Sequence, residues 1–355
     1  MIHAAARHAI ALLLANGFGM VLRAQTPTGT VAGVVVSQES GMTLPYGVVA
    51  VPALGRERFT TVNGSFILDD LPAGPVRLMV RRLGYTPKEL TVTVHEGMTD
   101  TIRVELARVA VKLAAMEVRA YPECKHPGPP HPGSDSALAT VFTQLHMNAV
   151  QYRLLARSYP FAYAVASTLG HFAKDGTLGI TRRDTIRIDG LPKWKYKPGK
   201  IVSRSNIRGH RGELFVNVLT LIDFADSEFI ANHCFHNGGL TQTDSATQFR
   251  IDFIASSKIR APDFSGSIYV DTATYQIRKS VLRVVPVPPI RGMTEMEVTT
   301  RFDEVLPSIP VIAKVSSLQT FNTELRGVQI SSAFDEQRLI QFVFLGPRPG
   351  EDKKP

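Results

Sequence analysis

The residues best suited to chemistry in this 355-residue chain are a few histidines and a glutamate. His210 and Glu213 are spaced as His-x-x-Glu, and His233 and His236 follow about twenty residues later. Two histidines and one glutamate are a common ligand set for a catalytic zinc ion, which keeps a further position open for water. A chain with 10 histidines, however, contains one such pair by accident about as often as not. This spacing is therefore weak evidence for a zinc site, and we predict none.

Other catalytic patterns are missing from the sequence. There is no Gly-x-Ser-x-Gly segment of the kind that presents a nucleophilic serine, and no glycine-rich loop that would hold phosphate. Acidic pairs occur at Asp69–Asp70 and at Glu295 and Glu297, but such groups usually lie on a solvated face. The sequence predicts neither a catalytic centre nor a cofactor, and the alternative is a hydrolase whose site the sequence does not reveal.

A run of basic residues is the feature that most favours a binding partner. No acidic residue occurs between Asp189 and Glu213, whereas seven basic residues do, in a chain whose net charge is +9. The stretch contains Lys193, Trp194, Lys195, Tyr196, Lys197, Lys200, Arg204, Arg208 and Arg211. Such a patch can bind an anionic lipid or polysaccharide. We expect residues 193–211 to form an exposed loop or hairpin that contacts an anionic envelope component, with a merely solvated basic face as the alternative.

The N-terminus is typical of an export signal. His3 and Arg7 precede an apolar run at residues 9–15, and the small Ala24 provides a cleavage site. We therefore predict that residues 1–24 are a signal peptide, with an uncleaved anchor as the alternative. Export predicts a protein of the periplasm or outer membrane, or a secreted one, and argues against nucleic acid as a partner.

The chain has two cysteines, Cys124 and Cys234. In an oxidising compartment two cysteines favour one disulfide bond. A bridge between them would close a long loop and lower the entropy of the unfolded chain, which stabilises the folded state by up to about 4–5 kcal/mol. We predict a Cys124–Cys234 bridge, and two unpaired thiols are the alternative, since sequence spacing does not show that the two side chains meet.

Residues 28–108 alternate between apolar and polar side chains in short stretches separated by turn residues. Val76, Leu78 and Val80 show the alternation of a strand with one buried face, and Asn63-Gly64 is typical of a hairpin turn. Seven such strands at spacings of roughly 8–12 residues predict an antiparallel Greek-key β-sandwich.

Five short motifs follow one another in a fixed order in this segment. They are Gly29-x-Val31-x-Gly33-x-Val35, Leu44-Pro45-Tyr46-Gly47-Val48, Asn63-Gly64-x-Phe66, Leu71-Pro72-x-Gly74 and Leu83-Gly84-Tyr85. Together they resemble the carboxypeptidase regulatory-like domain, a prealbumin-like sandwich, over residues 28–106 and 111–120. All are fold residues, so the resemblance implies no catalytic group. In zinc carboxypeptidases this domain follows the catalytic one, and the reversed order here argues further against a zinc site.

The sandwich is expected to contact an envelope protein or a glycan. Sandwiches of this shape often bind carbohydrate, although fold alone does not establish function. The rings available to stack on a sugar are Tyr46, Phe59 and Tyr85, each of which also suits a core or turn position.

Residues 109–136 are predicted to be a connecting strand and a proline-rich linker. The segment YPECKHPGPPHPGSDS has five prolines, which favours an extended spacer. Ser134 or Asp135 is then expected to cap a helix. The helix would bury an apolar stripe formed by Leu138, Val141, Phe142, Leu145, Ala149 and Tyr152.

Residues 137–347 are predicted to form a mostly β domain, an antiparallel meander with one or two helices, followed by a disordered tail at 348–355. The second helix is expected at residues 221–235, LIDFADSEFIANHCF. The segment FSGSIYVDTATYQIRKSVLRV resembles a strand-turn-strand unit of outer-membrane lipoprotein-carrier half-barrels. PGKIV, DFADSEF, HCF and GSIYVD resemble the C-terminal part of uncharacterised bacterial envelope proteins that carry the regulatory-like domain in front.

These observations predict a non-catalytic, exported envelope protein of two mostly β domains. It would act as a binding or structural module that contacts a protein, a glycan or an anionic envelope component. The alternatives are a carbohydrate-binding module and an accessory to a peptidase or hydrolase.

Overall fold

The computed structural model of the chain describes residues 27–110, 123–190, 194–204, 214–243, 246–322, 324–325 and 328–351. The N-terminal part is a two-sheet sandwich, and the C-terminal part is one large antiparallel sheet with a long helix packed against it. The mostly β fold class predicted from the sequence is confirmed.

All seven strands predicted for the sandwich are present. They are β1 (Thr28–Ser37), β2 (Val48–Val51), β3 (Arg56–Phe59), β4 (Ser65–Pro72), β5 (Gly74–Arg81), β6 (Lys88–Val94) and β7 (Thr99–Leu106). One sheet has the order β4-β1-β7 and the other β3-β2-β5-β6. The sequence predicted antiparallel pairing of all seven strands. The first and last strands, β1 and β7, instead run parallel to each other.

Two glycines of the sequence motifs have clear physical roles in this sandwich. A Cβ atom on Gly33 would lie 2.7 Å from the Phe66 ring and 2.6 Å from the Ile102 carbonyl oxygen, so no larger residue fits between these two strands. Gly64 follows Asn63 in the hairpin turn with a φ of +71°, a conformation that glycine adopts without strain. Both positions therefore specify the fold, as the resemblance implied.

Helix α1 (Ser136–Ser158) begins where the sequence predicted. The Asp135 side chain accepts a hydrogen bond from the Leu138 N–H at 2.8 Å, which satisfies one of the free donors of the first turn. The whole predicted apolar stripe is buried, and its side chains pack against the C-terminal sheet and against the sandwich.

The C-terminal domain contains twelve strands and one further helix in the described residues. They are β8 (Phe161–Ala173), β9 (Leu178–Asp189), β10 (Val202–Arg204), β11 (Leu214–Val216), α2 (Ser227–Ala231), β12 (His233–Gln242), β13 (Thr247–Ala255), β14 (Asp263–Asp271), β15 (Ile277–Val285), β16 (Met293–Leu306), β17 (Ile309–Phe321), β18 (Glu324–Leu325) and β19 (Val328–Phe344). The main sheet has the order β12-β13-β14-β15-β16-β17-β19-β8-β9, and β10 and β11 form a separate hairpin. A meander runs from β12 to β19, and the β8–β9 hairpin, although earlier in the chain, extends it at the far end.

The helix predicted at residues 221–235 is shorter than expected. A 3-10 turn spans Asp223–Ala225, and α2 is only five residues long. His233 already lies in strand β12, where Cys234 pairs in register with Ile254. The prediction was wrong at its C-terminal end because the chain enters the sheet there.

Neither the predicted spacer nor the predicted tail is a free segment where the structure describes it. Cys124 forms a disulfide bond with Cys234, with a Cα–Cα distance of 5.5 Å, as predicted. The Gly128 N–H donates to the His233 carbonyl oxygen at 2.9 Å, so this part of the linker runs along β12.

Within 348–351, Pro349 is buried, which corrects the prediction of disorder there. The predicted connecting strand at 111–120 lies outside the described residues.

The two domains share one hydrophobic core across α1. Phe59 of the sandwich lies against Tyr159 just after the helix, with ring centroids 5.9 Å apart. The Gln144 side chain accepts a hydrogen bond from the Gly84 N–H at 2.8 Å, which ties the helix to the Leu83-Gly84-Tyr85 turn. Among the described helices none has the length and apolarity to span a bilayer.

Candidate functional site

An apolar groove lies on the inner face of the C-terminal sheet, beside α1. It consists of two adjoining cavities with volumes of about 180 and 540 Å³, which share Val218, Val315 and Gln337 as lining residues. The smaller cavity is bounded by Tyr152 of α1, and the larger one opens towards Phe321 at the far end of β17. Because the two cavities share a wall, they form one elongated site.

Strand alternation explains why the groove is apolar. Val315 of β17 is in register with Gln337 of β19, and Gln337 with Ser167 of β8. Val315 therefore shares one face of the sheet with Tyr163 and Val165 of β8. Residues 218–220, which follow β11, pass over this face and form the opposite wall. Two walls of aliphatic and aromatic side chains result, and such a site binds hydrocarbon.

The floor of the larger cavity also carries a short polar row. Ser317, Gln319, Asp335 and Gln337 all line it. Within the described part of the chain, the Oδ1 atom of Asp335 is buried and accepts no hydrogen bond. Burial raises the pKa of Asp335, against the opposing effects of Gln337 and of the Arg182 guanidinium. This shift favours the neutral acid in a groove that is otherwise uncharged.

The predicted basic stretch divides between exposed and buried side chains. Lys195, Lys197 and Lys200 are exposed. The Lys195 Nζ atom lies 3.1 Å from the Asp226 carboxylate, so one of these cations has an acidic partner from outside the stretch. Arg204 ends strand β10. Three of the predicted residues, Lys193, Arg208 and Arg211, lie outside the described residues.

The two aromatic residues of this stretch do not form the surface that the sequence predicted. Tyr196 is fully buried, and its hydroxyl donates to the Asp263 carboxylate at 2.9 Å. Trp194 is half-buried and packs against the same core. The prediction was wrong for Tyr196 because alternate residues of an extended segment point to opposite sides. The lysines therefore face solvent while the rings face the core.

His233, considered above as a zinc ligand, is a core residue. Its Nδ1 atom lies 2.7 Å from the Phe229 carbonyl oxygen, and its Nε2 atom lies 3.0 Å from that of Phe264. Burial lowers the pKa of His233, although the two carbonyls and Asp263 oppose this effect. His210 and Glu213 lie outside the described residues. Among those described, no group of three His, Cys, Asp or Glu side chains is arranged to hold a metal ion.

The hairpin formed by β10 and β11 connects the basic stretch to the groove. Ser203 pairs with Phe215 in this hairpin, and Phe215 and Val216 line the larger cavity. Lys200 precedes β10, and the sequence between β10 and β11 contains two further arginines. Strand β11, which follows the basic stretch along the chain, thus lines the larger cavity, whereas Gly199, next to Lys200, donates its N–H to Asp263 at the start of β14.

Two of the three rings considered for carbohydrate stacking are buried in the core that the sandwich shares with α1. Tyr46 and Phe59 are 7% and 1% exposed. Tyr85 is half-buried, and the Arg108 guanidinium lies 6.0 Å from its ring centroid. Neither Tyr46 nor Phe59 therefore offers a face to a sugar.

Comparison with known families identifies the N-terminal domain. Residues 31–118 match the CarboxypepD_reg-like domain, which confirms the resemblance drawn from the five sequence motifs. The match covers less than half of the chain and leaves the C-terminal domain unassigned. No curated protein matches this chain in sequence.

Solved structures resemble the chain only distantly. A LolA superfamily protein from Nitrosomonas europaea is 11% identical with a TM-score of 0.29, over 60% of this chain and 97% of that one. A putative outer membrane lipoprotein-sorting protein domain from Vibrio parahaemolyticus is 11% identical with a TM-score of 0.32, over 57% and 93%. The minor pilin GBS52 of Streptococcus agalactiae is 17% identical with a TM-score of 0.21, over 26% of this chain. The chain spans about half of that pilin, 49% of its length.

Sequence reasoning did not predict the groove or the position of Asp335. Val311, Ile312 and Val315 show that β17 is partly apolar, but a register shift within the strand hides from the sequence which of these side chains share a face. Nor does the sequence show whether a helix covers them, because this depends on where α1 lies relative to strands far away in the chain.

Proposed function

We propose that this protein is a non-catalytic binding module of the bacterial cell envelope, and that its C-terminal domain holds the hydrocarbon chain of an anionic amphiphile. The observation that carries the proposal is the elongated apolar groove that passes Val218 and Val315. A groove of this shape fits an extended chain better than a compact ring system. Burying such a chain gains roughly 25 cal/mol for each Å² of apolar surface.

The positive charge of the chain supports an anionic head group. Lys197 and Lys200 are exposed, and the hairpin that follows them borders the larger cavity. The whole chain has a net charge of +9. Such charges attract a carboxylate or phosphate at the end of a bound chain and repel a cationic head group.

Asp263 and His233, two polar groups of the C-terminal core away from the groove, support a structural role rather than a catalytic one. Asp263 accepts hydrogen bonds from the Tyr196 hydroxyl at 2.9 Å and from the Gly199 N–H at 2.8 Å. His233 lies between two backbone carbonyl groups. Because these side chains contact one another inside the core and none of them lines the groove, they are placed to hold the fold together.

In this proposal the sandwich does not bind the amphiphile but contacts a partner protein. Its rings Tyr46 and Phe59 are buried, and this favours an envelope protein over a glycan as its partner. The alternative of an accessory to a peptidase remains compatible with such a protein contact.

A fluorescent fatty acid tests the groove directly. Val315→Trp places a large ring at the junction of the two cavities and should weaken binding at least about tenfold, because the chain can no longer pass. Val218→Trp tests the same junction from the opposite wall, in case the first variant is destabilised. The matched control is Val62→Trp, because Val62 is 57% exposed in the sandwich. Titrations monitored by fluorescence give the dissociation constants.

The head group is tested with the same ligand at two salt concentrations. Lys197→Gln combined with Lys200→Gln should weaken binding at low salt and reduce the effect of added salt, because exposed charges are screened. Lys88→Gln with Lys125→Gln is the control, since both lysines are exposed elsewhere. Equal binding by the parent protein, Val315→Trp and Val218→Trp would exclude the groove, and equal binding by both lysine variants would exclude the basic segment.

A further inference from the structure

A second apolar surface lies on the outer face of the sheet, opposite to the groove. Leu318 is in register with Phe334, Phe334 with Gly170, and Gly170 with Ile180. Residues in register on neighbouring antiparallel strands share one face of the sheet. We call this surface the hairpin patch, and its side chains are Phe172, Leu178, Ile180, Leu318 and Phe334.

The hairpin patch is exposed at the end of the β8–β9 hairpin. Leu178 is 53% exposed, Leu318 46%, Ile180 39% and Phe172 36%. The rings of Phe172 and Phe334 lie 5.6 Å apart, so the side chains form a continuous surface. Contiguous apolar surface of this kind, bordered by polar residues, marks a site that contacts a protein or a membrane.

The patch meets the groove at this end of the sheet. Phe334 belongs to the patch and also lines the larger cavity, as does Gly170, its partner in register. A hydrophobic phase in contact with the patch would therefore lie beside the opening of the groove. This position would let an amphiphile pass from that hydrophobic phase into the groove.

The charges near the patch are mostly positive. Between Lys174 and Arg187 the hairpin contains four basic and two acidic residues. Lys174 in the turn and Arg183 on β9 are both exposed. Of the two acidic residues in the hairpin, Asp184 is paired with Arg182 at 3.5 Å, and Asp175 accepts from the Thr177 N–H at 2.9 Å. On the neighbouring strands, Glu336 is paired with Lys314 at 2.6 Å and Glu297 with Arg283 at 3.5 Å.

These charges distinguish a lipid surface from a second copy of the chain. In a two-fold dimer the same patch faces itself, so Lys174 and Arg183 would approach their own copies. Like charges brought together oppose association, whereas anionic lipid head groups attract them. Aromatic and aliphatic side chains flanked by cations are typical of proteins that lie in the bilayer interface.

We propose that the hairpin patch docks on an anionic lipid bilayer. Phe172, Leu178 and Ile180 enter the interfacial region, and Lys174 and Arg183 contact the head groups. The proposal does not depend on occupancy of the groove, because the patch lies on the other face of the sheet.

Flotation with phospholipid vesicles tests this docking. The protein is mixed with vesicles of phosphatidylcholine and phosphatidylglycerol, and with vesicles of phosphatidylcholine alone. The parent protein should bind the anionic vesicles, and Phe172→Ser combined with Leu178→Ser should lower its partition coefficient about tenfold or more, since two half-exposed apolar side chains are removed. The matched control is Met42→Ser with Met98→Ser, because these methionines are 71% and 62% exposed in the sandwich. It should bind within about twofold of the parent.

Two further measurements separate the alternatives. Thermal unfolding shows whether the Phe172/Leu178 variant is still folded at the temperature of the flotation, since Phe172 is only 36% exposed and its ring lies against Phe334. Val315→Trp should bind vesicles as the parent does, whatever its effect on the fatty acid. The proposal is overturned if the parent does not bind anionic vesicles, or if the Phe172/Leu178 variant binds them equally well. Sedimentation tests the alternative that the patch joins two copies of the chain. The proposal is also overturned if the parent is a dimer and the Phe172/Leu178 variant is a monomer that binds vesicles as the parent does.

Discussion

Asp335 shows how an individual side chain can be held in an unfavourable environment. It lies on β19 within the groove, and Gln337 and Ser317 are its polar neighbours in the lining. Burial disfavours the ionised carboxylate and raises the pKa of Asp335. The folded state therefore binds this proton more tightly than the unfolded chain, for which the ordinary value is 3.8.

This shift predicts the pH dependence of stability. The stability that Asp335 contributes is present below pH 3.8 and is lost as the pH rises through its higher, folded-state pKa. Asp335→Asn should therefore be more stable than the parent at pH 7, and the difference should shrink towards pH 4. Urea unfolding at a series of pH values measures it. Asp175→Asn is the control with the opposite sign, because the Thr177 N–H lowers the pKa of Asp175. If Asp335→Asn is less stable than the parent at pH 7, the ionised carboxylate has a partner there.

Residue types in the basic stretch could be predicted from the sequence, but their directions could not. The alternation of lysines with Trp194 and Tyr196 was visible. Which set faced inward depended on Asp263, more than sixty residues away, to which the Tyr196 hydroxyl donates. A buried partner so distant in the chain leaves no local signal.

Elements with strong local signals were predicted closely. The sandwich strands alternate cleanly and have turn residues between them, and α1 has both a cap at Asp135 and an apolar stripe. Strand β12 was missed because its register shifts between Asn237 and Leu240, where Gly238 and Gly239 interrupt the alternation. The segment before it, rich in acidic and aromatic residues, resembled a helix over its whole length.

The disulfide bond joins two elements that the sequence separates by 110 residues. Cys124→Ser with Cys234→Ser should lower the free energy of unfolding by about 2–5 kcal/mol, because the unfolded chain gains the freedom of a long loop. Guanidinium unfolding of the parent and of the variant measures the difference. A reducing agent should destabilise the parent and leave the variant unchanged. Equal stability of the two proteins would show that the contacts between residues 123–128 and β12 suffice without the bond.

At the scale of the whole molecule, α1 joins the two domains by polar as well as apolar contacts. Gln144 accepts from the Gly84 N–H of the sandwich at 2.8 Å. One turn later, Asn148 donates to the Tyr275 carbonyl oxygen at 2.9 Å and accepts from the Ile277 N–H at 3.2 Å. The helix thus contacts both domains through buried hydrogen bonds, which are costly to leave unmade. The proline-rich linker favoured two separate domains in the sequence analysis. The composition of a linker carries no information about contacts made elsewhere, such as those of α1.

We therefore expect the two domains to unfold together. Trp194, the single tryptophan, belongs to the C-terminal domain, so its fluorescence does not report unfolding of the sandwich alone. In the parent, the calorimetric and fluorescence transitions should coincide in one step. Phe59→Ala with Gln144→Ala removes the ring contact with Tyr159 and the hydrogen bond to Gly84, and should cost at least about 3 kcal/mol. The calorimetric trace should then split, with the first transition silent in fluorescence, whereas Val62→Ala at an exposed position should keep one step. Two calorimetric transitions in the parent would show that the sandwich folds independently of α1.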